Sequence, residues 1–567
     1  MFSFQNWLPK SILCLRGYTA RKFLADLIAG LTVGLVALPL AMAFAIASGV
    51  PPQAGLYCAV VAGFLISALG GSKTQIGGPT GAFVVVVAGI VAKHGMEGLY
   101  VVTAMAGFFL VLLGVTGLGT AVKFIPRPVV VGFTNGIAIV IASTQIRDFL
   151  GLKVADLPGS FAGRMAAIGR HLETFSPAAT TLGVVSLVLI LLCVRYFKKV
   201  PGSIVALFAG TALVAAFHVP VETIQSRFGG IPAGLPEFSL PPFQLGLVPV
   251  LISSALTVAL LGAIESLMSA VVSDRMSDDR HNPNVELMAQ GVANLASPMV
   301  GGLPATGAIA RTATNIRSGA QSPIAGIIHA LVLLGILLFA APLAGHIPMA
   351  VLAAILLVVS YNMGDWEEVP ELLKLSKLEV AVWLTTLTLT VFADLTVAVE
   401  FGMVLAVLTF IRKVTMTTTV SRVTDAYVDE GRIHILQDKV IPDYVAVYRI
   451  HGPFLFGATD KVEDLIRHAA ELPPVVVLRL RNMTAIDSTG VQALEAVADK
   501  LHETGRALLV CGAREQPSRI IHQADFRQHI GAANICPNIQ QALERAAAIY
   551  RDMMASGQAP ERRARRT

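Results

Sequence analysis

Gly301-Gly302-Leu303-Pro304-Ala305-Thr306-Gly307-Ala308-Ile309-Ala310-Arg311-Thr312-Ala313 lies between long apolar runs. Gly302, Pro304 and Gly307 interrupt any continuous membrane helix there, so a short helix is expected to begin near Thr306 at membrane depth. Such a break survives in a bilayer only where the freed backbone is buried in protein or lines a cavity. The new helix start offers unpaired N–H groups and a partial positive charge, to which Arg311 adds a full one. A terminus of this kind suits an anion.

A near copy occurs early in the chain, Gly77-Gly78-Pro79-Thr80-Gly81-Ala82. Each copy follows one apolar segment and opens another. Interrupted segments in corresponding places of two hydrophobic halves point to the binding site of an inverted-repeat transporter. The alternative is that both are helix-packing sites rich in small residues. Packing alone, however, does not require a paired Pro, Thr and Gly in each half.

The composition agrees with a multi-span membrane protein. Hydrophobic residues make up 54% and charged residues 14% of the chain, and the mean hydropathy is +0.69. A soluble protein carries roughly a quarter charged residues. Met1 to Tyr18 contains Trp7, Pro9, Lys10 and Arg16 and reads as a cytoplasmic leader, not a cleaved signal. The five cysteines are scattered and never form a Cys-x-x-Cys pair, which argues against a disulfide framework and against a zinc site. Membrane orientation and a basic tail explain the net charge of +6, so nucleic acid is not required as a partner.

Apolar spans read at about 26–47, 55–70, 80–91, 98–121, 128–150, 177–195 and 202–217, and again at 247–272, 285–299, 306–317, 323–341, 347–361, 380–392 and 396–411. Several are shorter than the roughly twenty residues of a simple span, so this count rests on the repeat as well as on hydropathy. An even count puts both termini on one side, and the basic residues agree. Lys10, Arg16, Arg21 and Lys22, then Lys123 with Arg127, Arg195 with Lys198 and Lys199, Arg275 with Arg280, Lys374 with Lys377, and Arg412 with Lys413 all fall on the expected inner side. Of the outer connections, Pro51-Pro52-Gln53 has no basic residue, and the longer loop Lys153 to Ser176 mixes both signs.

These features divide the chain into a leader (1–22), a membrane domain (23–414), a polar linker (415–443), a soluble domain (444–553) and a basic tail (554–567) with Arg562 to Arg566. In the soluble part, strands are expected at 444–450, 475–480 and 507–511. Helices are expected at 458–470, 489–501, 517–523 and 539–550. That alternation indicates a small α/β domain. His451, Gly452 and Pro453 read as a turn between strands.

Ala25-Asp26-Leu27-Ile28-Ala29-Gly30-Leu31-Thr32-Val33-Gly34 followed by Leu38-Pro39-Leu40-Ala41-Met42-Ala43-Phe44-Ala45 resembles the first-span signature of the SulP family of anion transporters, although Leu40 stands where many relatives carry Gln. Gly262-Ala263-Ile264-Glu265-Ser266-Leu267 resembles the family's eighth span, Gly301 to Asn315 the tenth and Asp394-Leu395-Thr396-Val397 the start of the fourteenth. Ala485-Ile486-Asp487-Ser488-Thr489-Gly490 is similar to a STAS domain, the fold of bacterial anti-sigma factor antagonists. The resemblance implies fourteen transmembrane helices as two inverted sevens, forming core and gate domains. It also implies a homodimer, an elevator-like movement, and a bacterial inner-membrane location with cytoplasmic termini.

On this reading an anion lies between two half-helix starts, held by N–H groups of Thr80, Gly81 and Ala82 and of Thr306, Gly307 and Ala308. Arg311 supplies positive potential, and Pro39, Met42 and Phe44 form an apolar wall. An ionisable group inside an apolar span needs a partner or a watery cavity, so Glu265 and Arg311 are candidates to pair. Glu265, with Ser269 a turn later, is the expected coupling site for a proton or sodium ion, a role that the resemblance also implies. Protonation of a carboxylate beside an anion site would make anion entry less costly, so the two ligands would favour each other. A permanent structural ion pair is the alternative. Asp394 and Glu400 read as span-end anchors, and Asp26 as a cap or dipole partner at the first helix start.

Ser488 matches a position phosphorylated in anti-sigma factor antagonists, although Asp487, Ser488 and Thr489 equally suit a helix cap. Walker loops, catalytic triads and zinc motifs are absent, so neither an enzyme nor a bound cofactor or metal is expected. The expected function is secondary active transport of sulfate, bicarbonate or a C4-dicarboxylate. An uncoupled exchanger or channel, a scaffold whose STAS domain binds a cytoplasmic protein, and a nucleobase permease are the alternatives.

Overall fold

The computed structural model describes residues 7–119, 126–154, 157–197, 201–232, 234–240, 246, 248–374, 376–393, 395–423, 441–524 and 526–557. Lys123, Lys198, Lys199, Asp394, much of the expected linker (424–440) and the tail Arg562 to Arg566 lie outside the described residues, as does the Glu400 side chain. The chain divides into two compact units, Met1–Ala406 and Val407–Thr567.

The first unit is helical. Its long elements are α1 (Ala20–Ala47), α2 (Pro52–Leu69), α3 (Gly81–Val115), α4 (Arg127–Leu150), α5 (Pro177–Tyr196), α6 (Gly202–Phe217) and α7 (Val248–Ser277). They continue with α8 (Pro283–Ala296), α9 (Ile309–Arg317), α10 (Ile324–Phe339), α11 (Met349–Met363), α12 (Lys377–Phe392) and α13 (Leu395–Thr417). Gly95, at φ 66° and ψ −170°, bends α3 into two segments. With that bend these helices supply the fourteen spans of the expected fold. Among the described residues, seven helices are long and apolar enough to cross a membrane by length and composition, and α6 and α10 are shorter apolar helices.

Where helices cross closely, small residues make room for backbone contact. A Cβ on Gly291 of α8 would sit 2.6 Å from the Gly107 carbonyl oxygen of α3, and one on Gly107 would sit 2.7 Å from that of Gly291. Glycine-to-glycine contact of this kind replaces the hydrophobic drive that lipid cannot provide between membrane helices. At the expected inner side, Lys10 of the leader is ion-paired with Asp279 at 2.7 Å, just beyond α7.

Two corrections concern this unit. The helix expected from Thr306 starts at Ile309, because Thr306 and Gly307 form a two-residue strand, β2, paired antiparallel with β1 (Gly77–Gly78). Asp26 is not at its own helix start. It is buried within α1 and accepts from Gln321 N–H (2.6 Å), Ser322 N–H (3.1 Å), Ser322 Oγ (2.5 Å) and Tyr18 Oη (2.7 Å), so it serves the approach to α10.

The second unit contains a five-stranded sheet in the order β3 (Thr419–Arg422), β4 (Val445–Phe454), β5 (Val475–Ile486), β6 (Ala507–Cys511) and β7 (Ile535–Cys536). β3 is antiparallel to β4, and the remaining pairs are parallel. Helices α14 (Ser488–Glu503), α15 (Glu515–Gln523) and α16 (Ile539–Ala555) complete it. Alternation divides the core: Leu478 and Leu480 of β5 pack with Leu494 of α14, whereas Val475 and Val477 pack with Ile539 and Ala542 of α16.

Three readings change here. His451, Gly452 and Pro453 lie inside β4, where register shifts and the φ of 92° at Gly452 absorb an irregularity that resembles a turn. The expected linker begins with structure, since 419–422 is β3. The helix expected over 458–470 is divided into a 3₁₀ turn (Phe456–Val462), a short α-helix (Glu463–Arg467) and another 3₁₀ turn, with no side chain capping its start.

Candidate functional site

The two broken segments meet. Gly77 pairs with Gly307 and Gly78 with Thr306, so the chain entering α3 and the chain entering α9 are joined by backbone hydrogen bonds. Gly78 has φ 143°, a conformation that strains any residue with a Cβ. A Cβ there would also lie 2.8 Å from Arg311 Nη1.

Side chains from three helices hold this junction. From α7, Ser266 Oγ lies 2.7 Å from Thr306 Oγ1 and accepts from Gly307 N–H at 3.1 Å. One turn on, Ser269 Oγ lies 3.1 Å from Thr312 Oγ1, which accepts from Ile76 N–H at 3.0 Å. Ser273 Oγ is 2.7 Å from Thr74 Oγ1. Positions 266, 269 and 273 share a helix face, so α7 presents a row of hydroxyls to both breaks. From α8, Asn294 mimics a strand by accepting from Ala305 N–H and donating to Ala305 O, each at 2.8 Å. The buried Glu286 accepts from the N–H groups of Gly71 (2.9 Å) and Ser72 (3.1 Å). From α9, Asn315 donates to Thr74 O at 2.8 Å.

These contacts use some of the N–H groups expected to face an anion. Gly307 N–H goes to Ser266, and Ala308 N–H goes to Ile76 O at 2.8 Å. Thr306 and Gly307 therefore support the site through β2, and the start of α9 at Ile309, with Ala308 as its cap residue, presents the next N–H groups. At the other tip Thr80 is the cap residue of α3, but its side chain does not cap the helix. Its hydroxyl donates to Glu265 Oε2 at 2.8 Å. Gly81 and Ala82 are buried at the first turn of α3.

Glu265 and Arg311 do not form an ion pair within 4 Å: the carboxylate takes the Thr80 hydroxyl, and Arg311 Nη2 donates to Pro79 O. Arg311 is 2% exposed, and its Nη1 has no hydrogen-bond partner. An unmatched guanidinium N–H in a dry interior is costly unless a ligand or water completes it. The arrangement thus presents one unspent cationic donor beside two helix starts. Pro39, Met42 and Phe44 are buried in α1, which packs on α3 and α9. In the second unit, Asp487 caps α14 by accepting from Gly490 N–H at 2.8 Å, leaving Ser488 exposed.

Sequence reasoning passed over Gln75, Glu286, Asn294, Thr312 and Asn315. Glu286, Gln290 and Asn294 recur every four residues in an apolar helix, a polar stripe that was legible; the loop residues they bind were not.

A family model described as the sulfate permease family matches residues 23–386, and a STAS domain model matches residues 437–542. The chain belongs to the sulfate permease family. One sulfate permease relative, YvdB of Bacillus subtilis (strain 168), bears a provisional sulfate-transporter name and is 42% identical over 91% of this chain and 96% of its own. The bicarbonate transporter BicA of Picosynechococcus sp. is 31% identical over 93% and 95%. The solved transmembrane domain of a cyanobacterial BicA is 34% identical, with a TM-score of 0.61 over 69% of this chain and 98% of that one. The murine Slc26a9 anion transporter in its inward-facing state, at 18% identity, shares the fold with a TM-score of 0.86 over 97% and 95%. The protein is therefore a polytopic membrane protein of an anion-transport family, with a C-terminal STAS domain.

Proposed function

We propose that this protein is a secondary active transporter of small anions, with sulfate or bicarbonate as substrate and C4-dicarboxylates as a third candidate class. The observation that carries this reading is Arg311, buried to 2% exposure with Nη1 unpartnered where two helix starts converge. The anion is held by Arg311 and the first-turn N–H groups of α3 and α9, against the apolar wall of Pro39, Met42 and Phe44. Thr306, Gly307 and Ala308 shape that pocket through β2. The names of the relatives, a sulfate transporter and a bicarbonate transporter, support the choice of substrates.

Glu265 is the coupling group for a proton or sodium ion, and Ser269 supports it by fixing α9 through Thr312. Movement of the core is elevator-like, within a homodimer in the bacterial inner membrane whose termini are cytoplasmic. The transport domain spans 23–414, and the STAS domain, 444–553, engages a cytoplasmic protein partner, with Ser488 open to phosphorylation.

Reconstitution into liposomes with labelled sulfate, bicarbonate and succinate, with and without an imposed proton or sodium gradient, tests the reading. Uptake of one anion that requires Arg311 and responds to one gradient supports it. Flux no greater than in protein-free vesicles for all three anions would overturn it in favour of a scaffold.

A further inference from the structure

At its carboxyl end, the sheet of the second unit changes character on one face. Val475 and Val477 of β5 are buried beneath α16, and the next two residues on that face are Arg479 and Arg481. Successive odd residues of a strand share a face, so the substitution of arginine for valine occurs where α16 begins. A cavity of about 590 Å³ opens there, lined by Arg479, Arg481 and Arg514, the turn at Gly512, and Asn538 and Ile539 at the start of α16. Among the described residues no carboxylate lines it.

Arg479 is only 6% exposed, yet among the described residues its guanidinium has no hydrogen-bond or ion-pair partner. Its strand neighbour in register on β6 is Cys511, and on β4 it is Arg449, another cation. Burial pulls the Arg479 guanidinium below its ordinary value, with Arg481 and Arg449 adding to the effect and Cys511 opposing it. A guanidinium that opens onto a cleft with no carboxylate in its lining draws an anion into that cleft. The adjoining helix start favours the same sign: α16 runs for 17 residues, and its positive end faces the cavity through Asn538 and Ile539. Crevices outside the carboxyl ends of parallel strands are where open α/β sheets bind ligands. The volume lies within the range of small-molecule sites.

We propose that this crevice binds a phosphate-bearing small molecule, its phosphoryl oxygens held by Arg479, Arg481 and Arg514 at the start of α16. Arg479 is the buried anchor. Arg481 and Arg514 are exposed and close over the charge, the geometry in which guanidinium groups grip phosphate through paired N–H donors. The site belongs to the second unit alone and is separate from the anion site at Arg311.

The full-length protein in detergent micelles is titrated with pyrophosphate, glycerol 3-phosphate and ATP by calorimetry, beside Arg479→Gln, Arg481→Ala and Arg311→Ala. Saturable binding of at least one of these probes is expected, weakened tenfold or more by Arg481→Ala and by Arg479→Gln and unchanged by Arg311→Ala. Arg481 is exposed, so its variant keeps the test meaningful if Arg479→Gln does not fold. Equal affinity for pyrophosphate and ATP would assign recognition to the phosphates alone, whereas tighter ATP binding would add the nucleoside. No saturable binding of any probe would overturn the proposal, as would binding that survives Arg481→Ala or is lost on Arg311→Ala.

Discussion

The hydroxyl of Thr80 donates to the Glu265 carboxylate at 2.8 Å, joining the first turn of α3 to α7 from the other half of the chain. Any change of charge at Glu265 is therefore felt at a helix start that faces the proposed anion pocket. Glu265→Gln keeps the shape and removes the charge. Initial uptake rates in proteoliposomes are expected to become insensitive to an imposed proton or sodium gradient while remaining saturable in anion. Retained gradient dependence would exclude Glu265 as the coupling group.

Arg311→Ala removes the unpaired cation at the junction of β1 and β2. A hydrogen bond to a charged group contributes about 1.5–3 kcal/mol, so anion affinity is expected to fall about ten- to a hundredfold. Arg311→Lys should not restore it fully, since a point charge cannot serve Pro79 O and a ligand with the fixed fork of a guanidinium. Equilibrium binding of labelled anion in micelles reads both effects.

Much of this architecture is visible in the residues themselves, because Gly and Pro act locally. Gly77 to Ala82 and Gly301 to Ala313 are enough to locate two breaks in corresponding positions. They cannot show that Thr306 and Gly307 spend their backbone on β1, a pairing between distant segments that delays the start of α9 to Ile309. The same holds for the hydroxyl row on α7: Ser266, Ser269 and Ser273 share a face by spacing alone, yet their partners depend on how two loops fold beneath that face. Asp26 is misread for a related reason. Its position near a helix start suggests a local role, whereas its partners are residues brought up by tertiary packing.

Asp26 gives a stability prediction. Asp26→Ala leaves the N–H groups of Gln321 and Ser322 and the hydroxyls of Ser322 and Tyr18 without their shared acceptor. A loss of about 3 kcal/mol is expected from stranding buried donors. Thermal denaturation of the purified protein in micelles should show a lowered Tm, with Asp26→Asn intermediate.

Gly291→Leu places a branched side chain where even a Cβ would lie 2.6 Å from the Gly107 carbonyl oxygen. The α3–α8 crossing must open, and loss of the monodisperse peak in size-exclusion chromatography is expected. Gly89→Leu, on α3 where nothing lies within 4 Å of the added Cβ, serves as the tolerated control.

In the second unit, His529 Nδ1 lies 2.9 Å from Asp499, a hydrogen bond that raises the imidazole above its ordinary value of 6.5 despite some desolvation. A raised value means that protonated His529 favours the folded state. That small contribution is fully present below pH 6.5 and is lost as pH rises through the higher folded value. Both groups are substantially exposed, so the effect is modest. His529→Gln is expected to lower Tm slightly at pH 6 and to leave it unchanged at pH 9.

The β1–β2 ladder has a mechanical corollary. In an interior without water, parting Gly77 from Gly307 would strand backbone groups at several kcal/mol each. The two helix tips are thus a single rigid jaw, and on the proposed function any rearrangement that opens the pocket would carry that jaw whole, with the give located at its outer boundary, such as where a Cβ on Gly81 would meet Met363 and Ile141.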